Sequence, residues 1–164
     1  MQINFRIAQQ KDLPFIVQTY NQTIPGRQAT ADVEPVTVEE RQTWFDSYNE
    51  RRPIWLIESN SQPAGWIALE DFYGRPAYRH TVELSLYIAD GFRGQHLGQK
   101  SLEFVEGQCP ALKINTIVTF IFGHNKPSLS LFKKNGFVTW GHLPRVAEMD
   151  KIERDLDILD KRIY

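Results

Sequence analysis

The sequence predicts an α/β domain with a mixed central sheet of about seven strands and four helices. Three observations predict it. The apolar residues switch repeatedly between a period of two and a period of 3.6, so strands and helices alternate along the chain. The middle strands follow one another through short turns, whereas the later ones are separated by helices, and that mixes antiparallel with parallel pairing. With 164 residues, 41% hydrophobic and 24% charged, the chain can build one core but not two, so residues 1–164 are expected to form a single domain.

Ile3, Phe5 and Ile7 alternate with Asn4 and Arg6, as in a half-buried strand. Leu13, Ile16, Val17 and Tyr20 then fall on one face of a helix, with Asp12 as the expected N-cap and Pro14 in the first turn. Ile24-Pro25-Gly26 cannot continue that helix. The polar, aperiodic segment 26–35 is long for a plain connection and suits a lid or binding loop. Thr37-Val38-Glu39-Glu40 fits a capping box, and Trp44, Phe45 and Tyr48 give the second helix its apolar face. Ile54 to Ile57 and Gly65 to Leu69 read as the arms of a hairpin around Ser59-Asn60-Ser61-Gln62-Pro63. In Thr81 to Ile88, the side chains of Val82, Leu84, Leu86 and Ile88 share one face and Glu83, Ser85 and Tyr87 the other. A third helix begins after Gly91-Phe92-Arg93-Gly94, with Leu97, Leu102, Val105 and Cys109 inward and Pro110 at its end. Ile114 to Phe122 is a β-branched buried strand, Pro127 to Asn135 a short helix capped by Asn135-Gly136, and Phe137 to Trp140 and Arg154 to Leu159 are the last strands.

Composition narrows the function. A formal net charge of -1 gives no general attraction to polyanions, so neither nucleic acid nor an anionic membrane is expected as the main partner. Cys109 is the single cysteine, which excludes an internal disulfide and a Cys-rich zinc site and suits a reducing compartment. Met1 to Arg6 lacks the pattern of a signal peptide, and no uncharged run approaches the roughly 20 residues of a membrane helix. The expected location is the cytoplasm. His80, His124 and His142 show no metal-ligand spacing, and no metal is expected.

The chemistry concentrates where the Glu83 strand meets the third helix. Leu86 to Ala89 leads through Asp90-Gly91-Phe92 into Arg93-Gly94-Gln95-His96-Leu97-Gly98-Gln99. N–H groups at a helix start have no partner within the helix and lie at the positive end of its dipole, so such a turn suits a phosphate or diphosphate. Gly94 and Gly98 would let the anion approach the main chain, and Arg93 adds a cation. A plain strand-to-helix turn would carry the same glycines. Neither the P-loop nor the dinucleotide G-x-G-x-x-G spacing fits.

Arg93-Gly94-Gln95-His96-Leu97-Gly98 resembles the R/Q-x-x-G-x-G/A motif of the GCN5-related N-acetyltransferases (GNAT). Asn125-Lys126-Pro127-Ser128 to Gly136-Phe137 resembles that family's second block, and the element order matches over nearly the whole chain. Tyr20-Asn21, Arg41-Gln42-Thr43-Trp44-Phe45, Tyr78 to Ile88 and Leu143-Pro144-Arg145-Val146 resemble its phosphinothricin and methionine sulfoximine acetyltransferase branch. The resemblance implies a GNAT fold splayed at a cleft for acetyl-CoA, which serves as co-substrate. It further implies transfer to the amino group of a small amino-acid analogue, and a homodimer.

It also implies roles for residues. Glu83 corresponds to the general base, which an amine acceptor needs because it is mostly ammonium at neutral pH. The main chain of Leu86, Tyr87 and Ile88 would meet the pantetheine arm, Arg93, Gly94, Gln95, His96, Leu97, Gly98 and Gln99 the diphosphate, and Asn125 and Ser128 the pantetheine from the far side. Asn125 could equally cap its helix. Tyr73, Gly74, Arg75 and Arg79 are expected to select the substrate beside Glu83, Leu84 and Ser85, with the arginines matching anionic groups. His96 replaces a usual glycine and is strained if that position requires a positive φ. Phe132 stands where many members have a proton-donating tyrosine. An acetyltransferase of protein N-termini or another small amine, or a non-catalytic acyl-CoA-binding module, fits the same motifs.

Overall fold

The computed structural model describes residues 1–164. Strands β1 (Ile3–Ile7), β2 (Ile54–Ser59), β3 (Gln62–Asp71), β4 (Thr81–Ile88), β5 (Thr116–Phe122), β6 (Val138–Met149) and β7 (Ile152–Arg162) form one sheet in the order β1-β2-β3-β4-β5-β7-β6. Every neighbouring pair is antiparallel except β4 with β5. Helices α1 (Leu13–Gln22) and α2 (Val38–Asp46) cover one face, and α3 (Leu97–Gln108) and α4 (Lys126–Lys134) the other. This is the mixed sheet of seven strands with four helices that the sequence predicts.

The alternation within β3 and β4 sets the two faces. Ile67, Leu69, Val82 and Leu84 point into the larger core with Leu102 and Val105 of α3 and Phe132 of α4. Trp66 and Ala68 point the other way, against Ile16 of α1 and the aromatic residues of α2, and the Trp66 Nε1 donates to the Ile16 carbonyl at 3.1 Å. Because side chains alternate, Glu70 and Glu83 lie on this second face as well.

Caps and turns follow local chemistry. Thr37 Oγ1 accepts from the Glu40 N–H at 3.1 Å, so the capping box forms. Asp12 is not the side-chain cap the sequence suggests: a 3-10 turn over Gln10–Asp12 precedes α1, and the Asp12 carboxylate accepts from both Arg6 terminal nitrogens and from the Gln9 N–H instead. The last hairpin runs well past the predicted Phe137–Trp140 and Arg154–Leu159 strands, because Asp150 and Lys151 both take positive φ (55° and 63°) and make a tight turn without a glycine. Cys109 is fully buried at the inner end of α3, and burial pushes its thiol up to about 11, which leaves it unreactive.

Candidate active site

β4 and β5 pair only over Thr81↔Thr116, Val82↔Ile117 and Glu83↔Val118, and then separate. The first carbonyl beyond the ladder, that of Leu84, accepts from Thr119 Oγ1 at 3.2 Å. On the other edge, the Ala89 N–H donates to the Ala64 carbonyl at 2.8 Å. With strand alternation, these two bonds turn the main-chain groups of Leu84, Leu86 and Ile88 toward the gap, and those of Ser85 and Tyr87 toward β3. So of Leu86, Tyr87 and Ile88, only the first and last offer main-chain groups to a ligand in the gap. Tyr87 contributes its ring, stacked on Trp66 at 4.7 Å, and its hydroxyl, which donates to the Ala29 carbonyl at 3.3 Å.

The gap opens into a cleft of about 380 Å³ between β4 and β5, which adjoins a second space of about 730 Å³ between the α3 start and α4. Leu86, Tyr87, Asn125, Ser128 and Phe132 line both, so the two are one channel along the free edge of β4. The segment 23–36 crosses it as a strap. His124 Nε2 meets the Arg27 carbonyl at 2.7 Å, Asn125 Nδ2 donates to the Gln28 carbonyl at 3.2 Å, and Asn21 exchanges two hydrogen bonds with the main chain of Val36. The strap is also held by Tyr20, whose hydroxyl binds Thr30 and Asp32, and by Arg41, which pairs with Asp32 at 3.1 Å.

At the far end of the channel, no peptide N–H from Arg93 through Gln99 has an acceptor within the chain; the first bonded amide is that of Lys100, to the His96 carbonyl at 3.1 Å. Gly94 has φ 75° with open space where a side chain would stand, so it permits both the turn and close approach to the backbone. These free amides and the channel leading to them fit a diphosphate carrying a long, amide-bearing arm such as that of acetyl-CoA. Gly98 also lines the channel, and a Cβ there would lie 2.8 Å from Leu131 Cδ2 and displace that side chain of α4. Arg93 is exposed and 3.5 Å from Asp90. Gln99 is held by Glu103 and Asn135, leaving its N–H as the free group.

His96 occupies the N-cap position of α3 with φ 62° and no side-chain cap bond. A left-handed conformation costs an L-residue about 1–2 kcal/mol, partly offset by the chain entropy a glycine would lose. His96→Gly is therefore expected to raise stability by about 0.5–1 kcal/mol. A thermal unfolding midpoint above that of the parent checks this; a lower one contradicts it.

Glu83 sits where β4 and β5 part. It is half-buried and receives no hydrogen bond from the protein, and burial, followed by repulsion from Glu70, raises its pKa above the ordinary 4.5. Glu70 lies directly across the β3–β4 ladder. Asn125 caps α4 by accepting the Ser128 N–H at 3.3 Å, while its Nδ2 donates to the strap, and its side chain also lines the channel. Phe132 is buried with its ring edge-on to Phe137 and cannot supply a proton. Tyr73, Gly74, Arg75 and Arg79 do not line the cleft: Tyr73 is 77% exposed, and Arg79 donates to the Pro76 carbonyl within its own loop. That loop is anchored instead by the buried Arg52, which bonds Asp71 at 2.6 Å and the Arg79 carbonyl at 2.8 Å. The sequence assigns no site role to Glu70, which lies across from Glu83 and lines a small cavity with Arg41 and Trp44. Extending the alternation of Trp66 and Ala68 by two residues would have placed Glu70 on the Glu83 face.

A splayed parallel pair, a free strand edge and a row of unused amides define an acyl-CoA-type transferase fold. The sequence model of the Acetyltransferase (GNAT) family matches residues 16–137, and the chain belongs to that family. A Bacillus subtilis protein with the provisional name phosphinothricin acetyltransferase is 46% identical over 162 residues, covering 98% of this chain and 99% of its own. The L-methionine sulfoximine/L-methionine sulfone acetyltransferase of Pseudomonas aeruginosa is 30% identical, with 96% and 92% covered. A crystal structure bearing the provisional name phosphinothricin N-acetyltransferase superposes with a TM-score of 0.96 at 46% identity, over 99% of each chain. A more distant fold neighbour from Salmonella typhimurium, solved with acetyl-CoA, gives a TM-score of 0.89 at 23% identity over 99% of this chain and 94% of its own.

Proposed function

We propose that the protein transfers acetyl from acetyl-CoA directly to the amino group of a small amino-acid analogue such as phosphinothricin or methionine sulfoximine, with Glu83 as general base. The observation that carries this reading is the position of Glu83: a half-buried carboxylate, free of protein hydrogen bonds, at the point where β4 and β5 part. A base with a raised pKa is better matched to an ammonium donor near neutral pH than an ordinary carboxylate. The names of the relatives at 46% and 30% identity support the acceptor class.

Acetyl-CoA supplies the activated acyl thioester. The amides from Arg93 to Gln99 bind its diphosphate, and the main-chain edge at Leu86 and Ile88 aligns its arm and faces the acyl carbonyl. Glu83 takes a proton from the acceptor, directly or through water, leaving the nitrogen lone pair free to attack. With Phe132 unable to donate, the sulfur departs as thiolate, tolerable for a group with a pKa of about 8.5, and the second proton on the acylated nitrogen passes to that sulfur or to water. The strap covers the channel and favours a small acceptor over a peptide. A homodimer belongs to this reading, supported by Val138, Trp140 and Val146, which are 55–58% exposed on β6.

A thiol-release assay with acetyl-CoA tests the reading against phosphinothricin, methionine sulfoximine, other small amines and a peptide N-terminus. Turnover confined to the amino-acid analogues supports it. Preference for the peptide would move the function to protein N-termini, and CoA binding without turnover on any amine would make the chain a binding module.

A further inference from the structure

Glu70 on β3 and Glu83 on β4 are cross-strand partners. Since Ala64 and Ala89 are hydrogen-bonded, alternation makes Glu70 and Glu83 a hydrogen-bonded pair as well, with Cα atoms about 5.5 Å apart and side chains on one face. The two carboxylates differ in their partners. Glu70 Oε1 accepts from the Tyr48 hydroxyl at 2.6 Å and the Trp44 Nε1 at 3.2 Å, whereas Oε2 receives no protein donor. Glu83 receives none at either oxygen.

Glu70 also lines a cavity of about 100 Å³ walled by Tyr20, Trp44, Trp66 and Tyr87. Ser85 and Tyr87 line both this cavity and the cleft between β4 and β5, so the two spaces adjoin along the β4 face that also carries Glu83, which itself lines neither. Its other charged lining residue, Arg41, is already paired with Asp32 and stacked 4.9 Å over the Tyr20 ring. The uncommitted charge in this cavity, whose wall is four aromatic rings, Ile16, Val17, Val36, Ser85 and the paired Arg41, is therefore the second oxygen of Glu70. Aromatic faces and a carboxylate are both attracted to a small cation.

We propose that Glu70 holds the acceptor's ammonium group through Oε2 and presents it to Glu83, which removes the proton. This rests on the amine-acetylation reading above and adds a second carboxylate to it. In the step, one N–H bond of the ammonium breaks, the proton passes to a Glu83 oxygen directly or through water, and the electron pair stays on nitrogen. Glu70 remains bound to another N–H throughout. Trp44 and Tyr48 orient Glu70 by fixing Oε1, so the aromatic face of α2 serves the amine subsite as well as the packing.

The titratable groups that interact with Glu83 on this side are Glu70, Tyr48 and Tyr87, with Tyr20 and the Arg41–Asp32 pair further along the same cavity wall. Only Glu70 contributes repulsion to Glu83 directly. Glu70→Gln keeps an Oε1 acceptor for Tyr48 and Trp44 while removing the charge. It is expected to raise KM for methionine sulfoximine about tenfold or more, to leave KM for acetyl-CoA unchanged, and to move the acidic limb of kcat/KM to lower pH. Calorimetric titration into the CoA-bound enzyme should show the same loss for methionine sulfoximine but none for the analogue with hydrogen in place of the amino group. Equal weakening of both ligands, or an unchanged KM and pH limb in a wild type that acetylates amines, overturns the inference alone. A wild type that turns over no amine overturns the acceptor reading and this inference with it.

Discussion

Replacing Glu83 with glutamine is expected to lower kcat/KM for the amine about 100- to 10,000-fold near neutral pH, the range that a positioned base contributes. Binding of CoA should be unchanged, because the amides from Arg93 to Gln99 and the edge at Leu86 and Ile88 do not involve that carboxylate. The parent rate should rise with pH as Glu83 ionises, through a midpoint above the ordinary 4.5, since burial first and Glu70 second hold the proton on. That limb should vanish in Glu83→Gln. A variant that retains full turnover and the same acidic limb would remove Glu83 from the mechanism.

The same substitution carries a stability prediction of opposite sign. A carboxyl whose pKa is raised on folding favours the folded state at low pH, and that advantage is lost as pH rises through the unfolded and then the folded value. Once ionised, above its raised pKa, Glu83 therefore works against folding, and there Glu83→Gln should unfold at the parent temperature or above it. Loss of activity together with an unchanged or raised Tm would separate a chemical role from a structural one.

Gly65→Ala is expected to destabilise the fold by about 3 kcal/mol, the upper part of the range for forcing atoms into a packed interior. Gly65 faces Ile88 in the β3–β4 ladder, and an added Cβ would lie 2.4 Å from the Tyr87 carbonyl oxygen and 3.1 Å from Ile88 Cα. Both are main-chain atoms of β4, which pairs with β3 from Val82 to Ile88, so no rotamer change relieves the contact. Relief requires β4 to move away from β3 at Ile88, where its opposite edge borders the channel. Chemical denaturation and a CoA titration should therefore both respond, with weaker binding in whatever fraction remains folded. Parent-like stability in Gly65→Ala would show that the two strands are less closely held there than the structure indicates.

The parts of the fold legible in the sequence are those where one strong local signal decides the outcome. The alternation from Thr81 to Ile88 places Glu83, Ser85 and Tyr87 on one face, and the structure shows that strand intact. Thr37 and Glu40 form their capping box because both partners lie within three residues. Asp12 shows the limit of such reasoning: an aspartate before an amphipathic run looks like a cap, but the nearby Arg6 offers two donors and captures it. The Asp150-Lys151 turn was hidden because positive φ at two residues is normally signalled by Asn-Gly or Asp-Gly. Tyr73, Arg75 and Arg79 have suitable chemistry for an anionic acceptor, yet their loop leaves the sheet at Asp71 and is tied back by Arg52, a relation no local pattern reveals. The role of Glu70 likewise depends on a cross-strand register, which only the pairing of β3 with β4 supplies.

Beyond Glu83, β4 has bare peptide groups in the middle of a sheet instead of at its rim. Such a stretch can zip onto any extended backbone, the route by which proteins stick to one another. The segment 23–36 lies over that opening, tethered by His124, Asn125 and Asn21, and so also shields it from neighbouring molecules. Variants that cut these tethers should precipitate sooner on storage, and CoA, by occupying the exposed groups, should keep them in solution.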